Sequence, residues 1–314
     1  MLDREADSAR GDDALIRRLR VFLAVVDHGG VGEAAAALDI SQPAVSTQLK
    51  RLESELGLSL FRRSGRRLAV NDQGLEIARI LRRGFGELAL TLNAVRDIAR
   101  APAAPLRFGF SAPQIALDAA DAYRRADPRT RLKLRSANSA DLFAALDAYE
   151  LDVIMIGLSG DRPPYHCQFF QRQHLVAMLP RGHALAGRRS LALADLAREP
   201  VVLREPGSYT RALLMDAFAE ADSTPRVAFE VATREAVAEA VRRGFGIGPV
   251  LSEEAPLDPG LVMVPIERGR LVADDYLVCH ASALLYGPVR RFLAANRHRH
   301  GDGAPVPAAG PRAD

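Results

Sequence analysis

Apolar residues fall at Leu15, Ile16, Leu19, Phe22, Leu23 and Val26, the spacing of one face of an α-helix. Gly29-Gly30 breaks that run. Residues 34–38 then predict a short second helix, and residues 41–56 a third, with Val45, Leu49, Leu52 and Leu56 on one face. Gly57 follows where a helix often places its C′ glycine. From Asp72 the pattern predicts one long helix, because Ala78, Leu81, Phe85, Leu88, Leu92, Val95 and Ala99 alternate spacings of three and four. The prolines of Ala101-Pro102-Ala103-Ala104-Pro105 end that helix and make a short connector.

Beyond the connector, strand-like and helix-like segments alternate. Residues 106–110, 131–135 and 153–157 read as strands, and residues 114–125 and 140–149 as the helices between them. That order implies a parallel sheet with helices on its faces. A similar series recurs near Val201 and at residues 226–231, 234–242 and 247–250, so two small α/β subdomains with a cleft between them are expected. Gly, Pro, Ala and His replace all periodicity over residues 297–314, which read as a disordered tail. The predicted organisation is a helical domain over 14–71, a connecting helix over 72–100 and an α/β module over 105–296.

A length of 314 residues suits this two-part plan, and 48% apolar with 26% charged residues excludes disordered, collagen-like and disulfide-scaffold chains. No apolar run approaches the ~18 residues of a membrane span. The first eleven residues alternate acids and arginines and lack the apolar stretch of a secretory signal. Cys167 and Cys279 stand far apart with no pairing pattern, which fits a reducing cytoplasm, and both read as strand residues rather than thiol sensors. The net charge of +3 is small, so any nucleic-acid surface must be local.

Residues 41–70 supply such a locality, with six basic residues against two acidic ones. Helix, short helix, tight turn and helix form a helix-turn-helix layout. Ser41 is a good N-cap and Pro43 is tolerated in the first turn. Opposite the apolar face lie Gln42, Ser46, Thr47, Gln48, Lys50 and Arg51, amide and hydroxyl groups suited to base edges and cations suited to phosphates. Residues 60–68 read as a hairpin whose tip is flanked by Arg62, Arg63, Arg66 and Arg67, a cationic wing fit for a minor groove. The expected DNA contacts are these residues together with Ser41 and Pro43.

Leu19 to Phe22, Ala34-Ala35-Ala36-Ala37-Leu38, Ser41-Gln42-Pro43-Ala44-Val45-Ser46, Leu52-Glu53, Glu55-Leu56-Gly57, Leu60-Phe61-Arg62 and Gly65-Arg66 resemble the LysR-type transcriptional regulators. Two positions depart from that family's habit: Thr47 stands where arginine is frequent, and Asn71 where threonine is common after the wing, although Asn71 or Asp72 can still cap the next helix. The resemblance implies an α/β protein with an all-α winged helix-turn-helix N-terminal domain. Its effector module would be two α/β subdomains resembling a periplasmic-binding-protein fold. The long helix, about 42 Å if fully formed, then needs a partner for its apolar seam, and Ala78, Leu81, Phe85, Leu88, Leu92 and Val95 are the expected dimerisation residues. The resemblance further implies pairing of dimers into tetramers.

Hydroxyl and amide residues recur where strands end and helices begin. Ser111, Asn138, Ser139, Ser208, Thr210 and Thr233 are the expected effector contacts, with Arg204, Arg211 or Arg234 supplying positive charge. Helix N-termini at the carboxyl ends of strands attract small anions. Leu203 to Arg211, Asn138-Ser139, His166-Cys167, Pro180 to His183, Arg234 to Val237 and Tyr276 to Cys279 resemble the LysR-type subgroup associated with aminoethylphosphonate catabolism, which implies an organophosphonate effector. Gly244-Phe245-Gly246-Ile247-Gly248 follows a helix and precedes a strand, the reverse of a dinucleotide loop. Ser208 lacks a nucleophile elbow, so no enzyme is expected, and His298 with His300 make only a weak metal signal. The expected partners are a double-stranded promoter dyad, a small anionic effector, further copies of the chain and RNA polymerase, with no cofactor and no membrane. The second block alone would also suit an anion-binding protein of the solute-binding type.

Overall fold

The computed structural model describes residues 2–64, 67–99, 104–158, 162–267 and 271–297. The chain divides into two compact units, residues 1–89 and 90–314. The predicted tail over 297–314 falls almost entirely outside the described residues.

The first unit opens with α1 (Leu2–His28), which begins well before the predicted Leu15. It continues through α2 (Val31–Ala37) and α3 (Gln42–Leu56) to a hairpin of β1 (Phe61–Ser64) and β2 (Arg67–Val70). Ser41 caps α3, its Oγ accepting from the Ala44 N–H at 3.3 Å, with proline in the first turn. Gly57 ends the helix at φ 63°, the left-handed conformation that glycine adopts without Cβ strain. The core gathers Phe22, Val25, Ala34, Val45, Leu49, Leu52 and Leu60. Each large side chain fully buried there contributes about 1.5–3 kcal/mol. The hairpin pairs Ser64 with Arg67, leaving residues 65–66, outside the described set, between the strands.

α4 (Asp72–Ile98) follows as one helix, continuous through Gly84 and Gly86. Asn71 caps it: its Oδ1 accepts from Gly74 N–H at 2.8 Å while its Nδ2 donates to the Ser59 carbonyl at 2.6 Å. The expected seam requires correction at its start. Ala78 is fully buried in the first unit's own core and so is closed to a second chain, and Leu81 is half-buried against that core. Phe85 lies under the Arg20 guanidinium, 5.3 Å from the ring centre. Leu88, Leu92 and Val95 remain exposed. Leu90, off the predicted seam, is buried in a core of the second unit.

That unit starts with β3 (Leu106–Phe110), α5 (Pro113–Ala126), β4 (Leu132–Ser136), α6 (Ser139–Asp147) and β5 (Val153–Leu158). β3 pairs in parallel with both β4 and β5, as the βαβαβ order requires. β6 (Tyr165–Pro180) then runs for 16 residues into a second subdomain. There lie α7 (Leu193–Arg198), β7 (Pro200–Arg204), α8 (Tyr209–Glu220), β8 (Arg226–Val231), α9 (Arg234–Arg242), β9 (Gly248–Leu251) and β10 (Leu261–Pro265). The chain returns along β11 (Val272–His280) and ends on α10 (Gly287–Ala295).

The second subdomain is therefore inserted into the first. β6 pairs with β11 over its first part and with β9 and β10 over its second. Phe170 and Leu277 enter the core of the first subdomain, while Leu175 and Ala273 enter that of the second. Polar residues fill the changeover. Arg172 forms a forked pair with Asp274 at 2.6 and 2.8 Å, and Asp275, at a bulge in β11, accepts from Gln171 and Gln173 at 2.9 and 2.6 Å. Burial, with Glu254 nearby, pushes the Asp275 carboxyl up to about 7.

Candidate nucleic-acid interface and ligand cleft

In the first unit, α3 divides by face. Val45, Leu49 and Leu52 are buried, whereas Ser41, Gln42, Pro43, Ser46, Thr47, Lys50 and Arg51 are exposed and Gln48 is half-buried. Among the described residues, Lys50, Arg51 and the exposed Arg62 have no ion-pair partner. Thr47 is partly committed, because its Oγ1 donates to the Pro43 carbonyl at 2.8 Å. Gln42 leans over Gly32 of α2, its Nε2 3.3 Å from where a Cβ there would stand. Arg63 and Arg67 lie in the paired strands, and Arg66 falls outside the described residues. Glu53 belongs to the family-like motif Leu52-Glu53, and the structure gives it a contact. Its Oε1 accepts from the Leu60 and Phe61 N–H groups at 2.7 and 3.3 Å, holding the hairpin base to α3. A contact between residues seven apart across a loop has no periodic signature.

In the second unit, Ser111, Asn138, Ser139, Arg204, Ser208 and Thr210 line one cleft together with Gly157, Tyr209, Arg234, Leu251 and Glu254. The free volume at its centre is about 10 Å³, on the order of a single water. Tyr209 fills much of the space: a Cβ on Gly157 would stand 2.4 Å from its ring, so no side chain fits at that position. Asn138 caps α6, its Oδ1 accepting from Asp141 N–H at 2.9 Å. Ser208 and Thr210 flank the start of α8, are 5% and 7% exposed, and their hydroxyls have no hydrogen-bond partner among the described residues.

The other expected contacts lie elsewhere. Thr233 is exposed, and its Oγ1 accepts from Ala236 N–H at 3.1 Å as the cap of α9. Arg211 donates to the Arg204 carbonyl at 2.7 Å and pairs with Glu230, away from the cleft lining. The two arginines that do line the cleft are both engaged. Arg204 forks onto Glu205 at 2.7 and 2.9 Å, and Arg234 pairs with Glu254 while donating to the Ser111 carbonyl at 3.3 Å.

The cysteines fit no redox pair in this fold. Cys279 lies opposite His166 and Cys167 opposite Val278 on adjacent strands, so the two side chains take opposite faces of the sheet. Burial pushes the Cys279 thiol up to about 12, which leaves no thiolate at neutral pH. Among the described residues no group of His, Cys, Asp and Glu has the arrangement of a metal site, and no helix is long and apolar enough to cross a membrane.

Comparison with known proteins agrees with both halves of this picture. Residues 16–75 match the bacterial regulatory helix-turn-helix protein, lysR family, and residues 99–300 match the LysR substrate binding domain. The RuBisCO operon transcriptional regulator of Allochromatium vinosum is 33% identical over 266 residues, spanning 83% of this chain and 84% of its own. The regulator CbbR of Xanthobacter flavus is 30% identical over 241 residues, 74% of this chain and 71% of its own. Full-length OxyR from Pseudomonas aeruginosa has a TM-score of 0.68 at 20% identity, covering 90% of this chain and 94% of that one. CbnR complexed with its target DNA has a TM-score of 0.63 at 21% identity, covering 90% and 98%.

At such identities the two structures establish a shared fold. The relatives are CbbR-like and do not carry the resemblance to the phosphonate subgroup. They are regulators, not enzymes, and the match over 16–75 sets aside a solute-binding protein without regulatory role. The chain belongs to the LysR-type family of transcriptional regulators, with a helix-turn-helix unit that binds DNA and an effector-binding module of two α/β subdomains.

Proposed function

We propose that this regulator reads a promoter dyad as a dimer and changes its DNA binding when a small acidic metabolite enters the cleft of the second unit. The observation that carries the DNA half is the division of α3: an apolar face buried in its own unit, and an opposite face of amides, hydroxyls and unpaired cations. Gln42, Pro43, Ser46 and Gln48 meet base edges in this reading, while Lys50, Arg51, Arg62 and Arg66 meet the backbone or minor groove. The exposed Leu88, Leu92 and Val95 of α4 supply the dimer seam, and the effector units join dimers into tetramers.

Ser208, Thr210 and the α8 N-terminus are the acid-binding elements of the cleft. Ligand and DNA affinities are then coupled only as far as the ligand distinguishes closed from open subdomains. The relative named for the RuBisCO operon favours a promoter of that kind over a phosphonate-catabolism promoter as the first to try beside the chain's own upstream DNA.

A gel-shift with both DNAs tests the reading. A salt-sensitive, sequence-selective shift is expected near 10⁻⁸ M protein, within the range of about 10⁻⁸–10⁻¹¹ M for specific binders. No selective shift overturns it. Leu88→Asp is expected to leave the fold intact and abolish dimers in light scattering.

A further inference from the structure

We propose that the effector is a zwitterion, an amino-acid-like or aminophosphonate-like molecule that carries its own ammonium group, rather than a bare anion. The inference rests on reading the cleft as the effector site and concerns its charge balance.

Two arginines line the cleft, and each is already joined to a carboxylate: Arg204 to Glu205 and Arg234 to Glu254. The second pair is deeply placed, with side-chain exposures of 11% and 4%. Each pair balances its own charge, so the two arginines bring no net positive charge to the cleft. Among the described lining residues no cation is left uncommitted. The groups that are uncommitted are the neutral hydroxyls of Ser208 and Thr210 at the start of α8, a helix of 12 residues whose N-terminal end favours negative charge.

The central space holds about one water, so any larger molecule must displace side chains. Tyr209, Arg234 and Glu254 are in the way. An acid without a counter-charge that takes Arg234 leaves Glu254 buried and unpaired, the unfavourable half of a broken interior pair. A zwitterion substitutes charge for charge. Its acid group takes the Ser208 and Thr210 hydroxyls, the α8 amides and Arg234, while its ammonium takes Glu254. No net charge enters the cleft.

Titration calorimetry on the full-length protein tests this with matched pairs: 2-aminoethylphosphonate against ethylphosphonate, β-alanine against propionate, and glycine against acetate, beside inorganic phosphate and sulfate. In at least one pair the amine-bearing member is expected to bind at least tenfold more tightly. Glu254→Gln is expected to bring that ratio to about one, partly by tightening the amine-free acid as Arg234 is released. Ser208→Ala is expected to weaken both members alike and preserve the ratio, which keeps the test open if the Glu254 variant folds poorly. If amine-free acids bind as tightly as their partners, the zwitterion inference is overturned while the acid-binding cleft stands. If none of the compounds binds, the reading of the cleft falls with it.

Discussion

The DNA-reading face and the cleft use the same chemical parts in opposite ways. On α3 the cap hydroxyl of Ser41 is engaged by its own helix, and Lys50 and Arg51 stand open. In the cleft the hydroxyls of Ser208 and Thr210 stand open, and Arg204 and Arg234 are engaged by their own carboxylates. Solvent explains the difference. An exposed cation is hydrated and waits at little cost for a polyanion, whereas a buried one must be neutralised within the fold before any ligand arrives. Arginines in a cleft therefore say little about ligand charge until their partners are known.

The largest effect that could break this contrast is expected at Arg234. Replacing it with alanine strands the Glu254 carboxylate in the interior and should cost about 3–5 kcal/mol in urea unfolding. A loss below about 1 kcal/mol would mean the pair is solvated after all.

Asp275 comes next. Its carboxyl is held near 7 in the fold against 3.8 for the free group, so the folded form binds the proton more tightly than the unfolded one. The favourable contribution is full below about pH 3.8 and is lost as pH rises to about 7, at most about 4 kcal/mol. Asp275→Asn keeps an acceptor for Gln171 and Gln173, and should flatten that part of the stability–pH profile. A profile unaltered by the substitution would contradict the assignment.

On the DNA face the effects shift from stability to recognition. Gln42→Ala should relax preference at one base position per half-site by about 1–3 kcal/mol in a mismatch series. Lys50→Ala should change stability by less than about 0.5 kcal/mol, weaken all sequences alike and lower the salt slope by about one. Identical behaviour of these two variants across the series would remove the distinction between base and backbone contacts.

What the sequence disclosed follows the range of the forces involved. The Ser41 cap, Pro43, Gly57 and the Asn71 cap are local events, written within four residues of their effect, and all were legible. So was the βαβαβ order: β5 is uniformly apolar and buried, while β4 alternates Leu132 and Leu134 with Lys133 and Arg135 between helix-like segments. β6 was not legible, since its middle reads Gln171-Arg172-Gln173-His174 and interrupts the apolar pattern. Gln171, Arg172 and Gln173 bond Asp274 and Asp275 at the changeover between subdomains, a reason that exists only once the strands are paired. The cleft residues were largely found because helix starts carry a signature. Their charge state was not, because Glu254 lies 20 residues from Arg234 in sequence. Ala78 shows the complementary limit: one apolar stripe on α4 serves first the chain's own core and then an exposed seam, and spacing alone does not mark where one role ends.

The inserted order of the second unit has a consequence for synthesis. All the lining residues of the cleft have been made once Glu254 leaves the ribosome. The first subdomain is still unfinished then, because β5 awaits its neighbour β11 and the core around Phe108 and Tyr123 awaits Tyr286, Val289 and Phe292. A chain stopped before Val272 would hold every residue that lines the cleft and no module to present them, while the residues of the first unit remain whole. Such a fragment would occupy promoters deaf to the metabolite. Nonsense alleles between Glu254 and Val272 should accordingly interfere with the intact regulator rather than merely lack it.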